Sequence, residues 1–203
     1  MTAERGKPLQ GIRVLDLTRL LPGPLATMHL ADMGADVVKI EDTGAGDYAR
    51  TLGRVREGMT EFFRLVNRNK RALRLDLKTA AGREVFMHLA ASADGIVEGF
   101  RPGVMDKLGV GYQAVAAINP RIVYCAITGY GQSGQHKDRA GHDLNYLARS
   151  GLLWHNARAG EPPRLSPRNS TSPRALAATP ARSGLSRTQP SALAPSFAVA
   201  GSA

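Results

Sequence analysis

The sequence predicts an α/β fold, a Rossmann-like parallel sheet layer with helices, followed by a C-terminal tail that does not belong to it. Three observations carry this. Short aliphatic and β-branched runs alternate with segments of helical spacing through the first 153 residues. A strand, a helix and a strand follow one another within about 30 residues, the length of a βαβ unit with parallel strands and a right-handed crossover. After Arg158 that alternation stops and Pro, Ser, Ala, Arg and Thr take over. The expected organisation is an N-terminal α/β domain over 1–160 and a tail over 161–203.

Ile12 to Leu17 is the first strand, an apolar run fit for burial. Pro22-Gly-Pro24 opens a helix, because proline suits a first turn whose N–H needs no partner. Gly34 stands where a left-handed C-cap belongs, and Ala35 to Ile40 forms the next strand. Arg71 to Leu77 is strand-like, and Thr79 caps a helix carrying Val85, Phe86, Leu89 and Ala90. Gly95 to Glu98 is a short strand, and Tyr112 to Ile118 a brief helix stopped by Asn119-Pro120. Arg121 to Thr128 is the longest strand, Gly129 to Gly134 a glycine-rich loop, and Asp143 to Leu153 a helix. In such a layer, ligand chemistry is expected in loops at the C-terminal strand ends.

The tail carries Pro162, Pro163, Pro167, Pro173, Pro180, Pro190 and Pro195, and no window between them supports a normal helix or a clean alternation. Too little apolar surface is present to offset the entropy of ordering it, so disorder is expected there. The net charge of +10 suggests a nucleic-acid partner, but much of it comes from the tail, where Arg164, Arg168, Arg174, Arg182 and Arg187 face the single acid Glu161. The tail also lacks aromatics interleaved with its arginines, which argues against nucleic acid. One cysteine, Cys125, excludes an internal disulfide framework. No apolar run suits a bilayer and the first residues lack a secretory pattern, so a cytoplasmic location without a membrane partner is expected.

No GxGxxG or Walker loop is present. Gly129-Tyr-Gly131 and Gly134 let backbone N–H groups approach a ligand, or simply turn the chain. Arg68, Lys70, Arg71 and Arg74 form one basic cluster and Arg101 with Lys107 another; both suit phosphates, and both equally suit a solvated face. Of five histidines, His29 and His88 fall within amphipathic helices, and His136 and His155 in polar or featureless stretches. His142 differs, preceding Asp143 at a loop-to-helix junction, where a helix N-terminus favours a neutral imidazole base. The alternative is a plain helix cap. Cys125, inside an apolar strand, reads as core.

Several blocks, taken in order and spacing, resemble one family. Gly11 to Leu17, Pro22-Gly-Pro24, Leu30 to Glu41, Asn67 to Arg71 with Leu75 to Lys78, Glu98 to Gly103 and Gly129 to Gly134 look like class III CoA-transferases. Gly141-His-Asp-Leu-Asn-Tyr146 is similar to the 2-methylacyl-CoA racemase branch. The resemblance implies an acyl-CoA substrate, no separate cofactor or metal, and an interlocked homodimer. It implies His142 as one of two catalytic acid–base residues. The coenzyme A site would be lined by Leu75, Asp76, Leu77, Lys78, Gly99, Phe100, Arg101 and Lys107, with Gly141, Asp143, Leu144, Asn145 and Tyr146.

Inverting a carbon beside a thioester removes a proton from one face and returns one to the other, which needs a base and an acid. The family's aspartate is expected near Ser172, where this chain reads Ser170-Thr-Ser-Pro-Arg174. The chain is therefore expected to be a truncated, inactive member of the racemase lineage. Codons can be chosen so that a shifted frame over Arg168 to Leu176 reads Gln-Leu-Asp-Ile-Ala-Ala-Gly-Ser, which suggests a frameshift-derived tail. Two other readings stand beside it: a CoA-transferase moving CoA between carboxylic acids, and a non-catalytic basic protein binding nucleic acid through its tail.

Overall fold

The computed structural model describes residues 6–155 and 197–200. The chain divides into two compact units, one of residues 1–127 with 198–203 and one of residues 128–197. The first holds the sheet. Its strands are β1 (Arg13–Leu17), β2 (Asp36–Glu41), β5 (Arg71–Arg74), β6 (Gly95–Glu98) and β7 (Val123–Ile127), with β3 (Val55–Arg56) and β4 (Met59–Thr60) forming a separate antiparallel hairpin. A strand β8 (Phe197–Ala200) completes the order β5-β2-β1-β6-β7-β8. The pairs β1–β2, β2–β5, β1–β6 and β6–β7 are all parallel, as the βαβ spacing requires.

The helices of this unit are α1 (Pro22–Asp32), α2 (Glu61–Asn67), α3 (Ala80–Ala91), α4 (Val104–Lys107) and α5 (Tyr112–Ile118). Pro22 and Pro24 occupy the start of α1, and Gly34 beyond its end takes φ 104°, which an L side chain resists. The Thr79 hydroxyl accepts the Gly82 N–H at 3.0 Å and so starts α3. Alternation along the strands feeds two cores. Leu15, Leu17, Val38, Ile40 and Ile96 pack with Phe86, Met105 and Val115 of α3, α4 and α5, whereas Val14, Val37 and Val97 pack with Ala31 of α1 and Ala35.

β1, β5 and β7 lie within the runs that the sequence predicts, β6 matches its run, and β2 is shifted one residue onward, to Asp36–Glu41 from the expected Ala35 to Ile40. The hairpin, α2 and α4 were not expected from sequence. They are too short for periodicity to show, and α2 is set instead by Thr60, whose hydroxyl accepts the Phe63 N–H at 3.1 Å. The helix expected over Asp143 to Leu153 is two, α6 (Asp143–Arg149) and α7 (Leu152–His155), because Gly151 between them takes φ 78°. Both belong to the second unit. The expectations of disorder and of a shifted frame in the tail lie outside the described residues, except for β8, a strand where none was expected. Among the described residues, no helix is long and apolar enough to cross a membrane.

Candidate functional site

On the α1 face of the sheet, the apolar pattern turns ionic toward the C-terminal strand ends. Val14 is followed on that face by Asp16, and Val37 by Lys39 and Glu41, and all three charged residues are buried. Each finds partners, as a buried charge must. Lys70 Nζ stands 2.9 Å from Asp16 and donates to the Pro24 carbonyl, the Thr27 hydroxyl and Asn67. Lys39 Nζ donates to the Thr18 carbonyl at 2.9 Å and lies 2.9 Å from Asp47. Arg50 forks onto Glu41.

Burial pushes the Asp16 carboxyl up, but Lys70, Lys39 and the hydroxyls of Thr18 and Thr27 outweigh it and hold the group below its ordinary value. Burial likewise brings Lys70 down to about 8, with Asp16 opposing.

The chain order places β2 and β5 on one side of β1, and β6 and β7 on the other. Strand order thus reverses between β1 and β6, and the crevice beyond their C-terminal ends is where open α/β sheets bind ligands. The loop after β1 meets the loop after β6 there. A side-chain carbon on Gly99 would stand 3.8 Å from Thr18 Cβ, and the Arg19 guanidinium lies 5.4 Å from the Phe100 ring centre and 5.6 Å from that of Tyr48. Glu98, at the end of β6, accepts the Phe100 N–H at 2.7 Å and is buried without an ion-pair partner among the described residues. Burial is the main reason its carboxyl rises to about 7, with Asp106 adding to it. The Tyr124 hydroxyl, also pushed upward by burial, has no hydrogen-bond partner among the described residues.

The coenzyme A residues expected in this unit follow two strand ends. Leu75 to Lys78 lie beyond β5, Gly99 to Arg101 lie beyond β6, and Lys107 closes α4. Leu75 and Phe100 both pack against the main core, while Leu77 is buried within it and offers a ligand only backbone. Lys78, Arg101 and Lys107 are exposed and, among the described residues, form no ion pair.

The basic cluster read from sequence separates instead. Arg68 pairs with Asp32, Arg71 with Asp36 and Lys70 with Asp16, so these three are occupied by carboxylates. Arg74 donates to the Gly44 carbonyl. Reasoning from sequence missed Arg19 and the ionic network. The available signal was a charge inside a buried strand, as at Asp16 and Lys39.

Gly82 sets the turn after β5. A side-chain carbon there would lie 1.9 Å from the Asp76 backbone oxygen, a contact no rotamer relieves. Gly82→Ala is expected to destabilise the protein by about 1–3 kcal/mol and to shift the Leu75 to Lys78 turn. Chemical denaturation measures the first effect, and chemical shifts in that turn measure the second.

In the second unit, His142 immediately precedes α6. Its backbone N–H donates to the Asn145 side chain at 2.9 Å, so Asn145 supplies the reciprocal half of the cap. His142 is exposed, as are Asp143, Leu144 and Asn145, and its side chain shares the capping box with Asn145. Tyr146 donates its hydroxyl to the Gly141 carbonyl at 3.0 Å and meets Tyr130 edge-on at 5.4 Å, which fixes the chain on either side of His142. His29 and His88 lie exposed on α1 and α3. Cys125 is half-buried against the α1-side core, with its thiol pushed up by burial. Among the described residues, no group of His, Cys, Asp and Glu stands together as a metal site.

The fold and the switch-point crevice define an α/β domain of the doubly wound kind. The chain belongs to CoA-transferase family III, whose pattern matches residues 9–172. It is 47% identical over 148 residues to human succinyl-CoA:glutarate CoA-transferase, covering 72% of this chain and 34% of that protein. It is 43% identical over 155 residues to human alpha-methylacyl-CoA racemase, covering 76% of this chain and 37% of the relative. Among solved structures, a CAIB/BAIF family protein from Brucella suis superposes with a TM-score of 0.75 at 37% identity, over 80% of this chain and 44% of that one. The chain therefore spans about a third of the length of these two curated relatives.

Proposed function

We propose that this chain is of the acyl-CoA racemase lineage, with His142 as the base that exchanges the α-proton of a 2-methylacyl-CoA thioester. One observation carries the reading: His142 is exposed at the start of α6, with its backbone held in place by the Asn145 side chain. Lys78, Arg101 and Lys107, unpaired by acids among the described residues, supply cations for the phosphates of coenzyme A. Homodimeric assembly and a cytoplasmic location belong to the same proposal.

The proton leaves the α-carbon for the imidazole nitrogen, and its electron pair passes to the thioester oxygen as an enolate. The imidazolium exchanges its proton with solvent and returns one to the same face. Inversion needs a second group on the opposite face. After Asp143 this sequence has one further acid, Glu161.

In deuterated water the chain is expected to incorporate deuterium at the α-carbon without racemising the thioester. His142→Ala should abolish the incorporation. Racemisation by the chain as it stands would show that another residue supplies the second proton. The transferase reading is favoured by the 47% identity to the succinyl-CoA:glutarate enzyme. Exchange of CoA between succinyl-CoA and glutarate, with no α-proton exchange, would establish it instead.

A further inference from the structure

We infer that Arg19 contacts an anionic group of the bound coenzyme A moiety and that Asp47 is the residue that positions it. The inference rests on the reading of coenzyme A as ligand. It starts from a backbone outlier: Leu20 takes φ 65°, a left-handed conformation that costs a non-glycine residue about 1–2 kcal/mol. Such strain persists only where the surroundings impose it, and it collects at ligand sites.

Asp47 imposes it. One carboxylate oxygen of Asp47 accepts the Leu20 N–H at 2.9 Å and the Ala49 N–H at 2.9 Å. The other lies 2.9 Å from Lys39, an ion contact rather than an aligned hydrogen bond, and Lys39 in turn holds the Thr18 carbonyl. The Asp47 N–H donates to Glu41 at 3.0 Å. One carboxylate thus fixes the strained residue beside Arg19 and also the single helical turn Tyr48–Arg50 that carries Tyr48. Both the side chain of Asp47 and that of Lys39 are sealed from solvent, at 0% and 1% exposure.

The guanidinium so held stands beside the rings of Tyr48, in the segment after β2, and Phe100, in the loop after β6. Asp42 takes one of its N–H groups at 2.8 Å, and Asp42 is itself oriented by the Gly44 and Gly46 N–H groups. Arginine has five N–H donors in a planar fork, so donors remain for a ligand oxygen. Arg19 is also 31% exposed, unlike the sealed lysines of the network. Partial exposure, aromatic flanks and spare donors together describe an anion-binding arginine rather than a structural one.

The test is calorimetric titration of the full chain with coenzyme A and, separately, with pantetheine, which has no phosphate. Arg19→Gln should weaken coenzyme A binding about tenfold or more, as loss of a charge-assisted hydrogen bond does, and leave pantetheine binding unchanged. Unchanged coenzyme A affinity in this variant would overturn the assignment. Asp47→Asn should weaken coenzyme A binding similarly and speed amide exchange at Leu20, while Leu15 and Val38 stay protected. Undiminished protection at Leu20 would overturn the positioning role.

Leu20→Gly keeps the Asp47 contact, removes the strain and is expected to fold at least as stably. It should nevertheless bind coenzyme A more weakly, because the loop then has other conformations open to it; tighter or equal binding would count against a built loop. Absence of coenzyme A binding by the unsubstituted chain would sink the ligand reading, and with it the role of Arg19. The exchange at Leu20 would still decide the role of Asp47.

Discussion

Lys70→Met is expected to cost the folded state about 3–5 kcal/mol, the range for breaking a buried ion pair by removing one member. Lys70 Nζ reaches Asp16, Pro24, Thr27 and Asn67, so it ties β1, α1 and α2 together at one point. The variant strands the Asp16 carboxylate in a site with 0% side-chain exposure. At pH 7, below the value of about 8 for Lys70, the ammonium is charged. Because burial has brought that value down from 10.5, the parent gains stability as pH rises from about 8 to 10.5, and the loss grows across that window. The companion Asp16→Asn/Lys70→Met removes both charges and should recover much of the stability, since a neutral pair has no stranded ion. Urea denaturation of the three proteins measures this. A Lys70→Met loss below about 1 kcal/mol, the size of a surface pair, would mean that the network is not holding the fold.

Glu98→Gln is expected to act in the opposite direction. Burial raises this carboxyl from 4.5 to about 7, and no cation among the described residues opposes the rise. Between those two values the folded state binds more protons than the unfolded chain, so stability falls as pH rises through the window. Above pH 7 the ionised carboxylate costs about 3 kcal/mol relative to its neutral form, at roughly 1.4 kcal/mol per pH unit. A glutamine oxygen can still accept the Phe100 N–H and carries no charge. The variant should therefore match the parent near pH 4 and exceed it by about 2–3 kcal/mol at pH 8. Parallel stability curves across that range would show that Glu98 does not titrate as its burial requires. Because Glu98 holds Phe100, chemical shifts of Phe100 in the parent should follow the same titration.

Much of the fold was legible because its causes are local. Pro22 and Pro24 suit a helix start, Thr79 caps one through a residue three positions on, and short apolar runs such as Val14 to Leu17 mark buried strands. The elements that were missed are short: two-residue strands, four-residue α4, and α2, whose seven residues rely on the Thr60 cap. Periodicity needs more turns than these provide. Strand β8 was missed for a related reason, since four residues among prolines carry little pattern, and pairing with a sheet edge is decided elsewhere in the chain.

The site divides along the same line. By itself, the sequence determined the α/β alternation, the parallel pairing, and the ordered blocks that mark CoA-transferase family III, including the Gly-His-Asp segment around His142. It did not determine which charges are free to meet a ligand. Arg68, Lys70, Arg71 and Arg101 look alike along the chain. The tertiary structure pairs the first three with Asp32, Asp16 and Asp36, and leaves Arg101 exposed and without an ion pair among the described residues. Asp16 and Lys70 stand 54 positions apart, and no local rule joins them. A charge can lie in a buried strand only if its partner is delivered by another element, because desolvating it alone costs more than the strand gains. That delivery is a property of the packed sheet and helices, and it decides which basic residues are tied to acids and which, like Arg101, form no ion pair among the described residues.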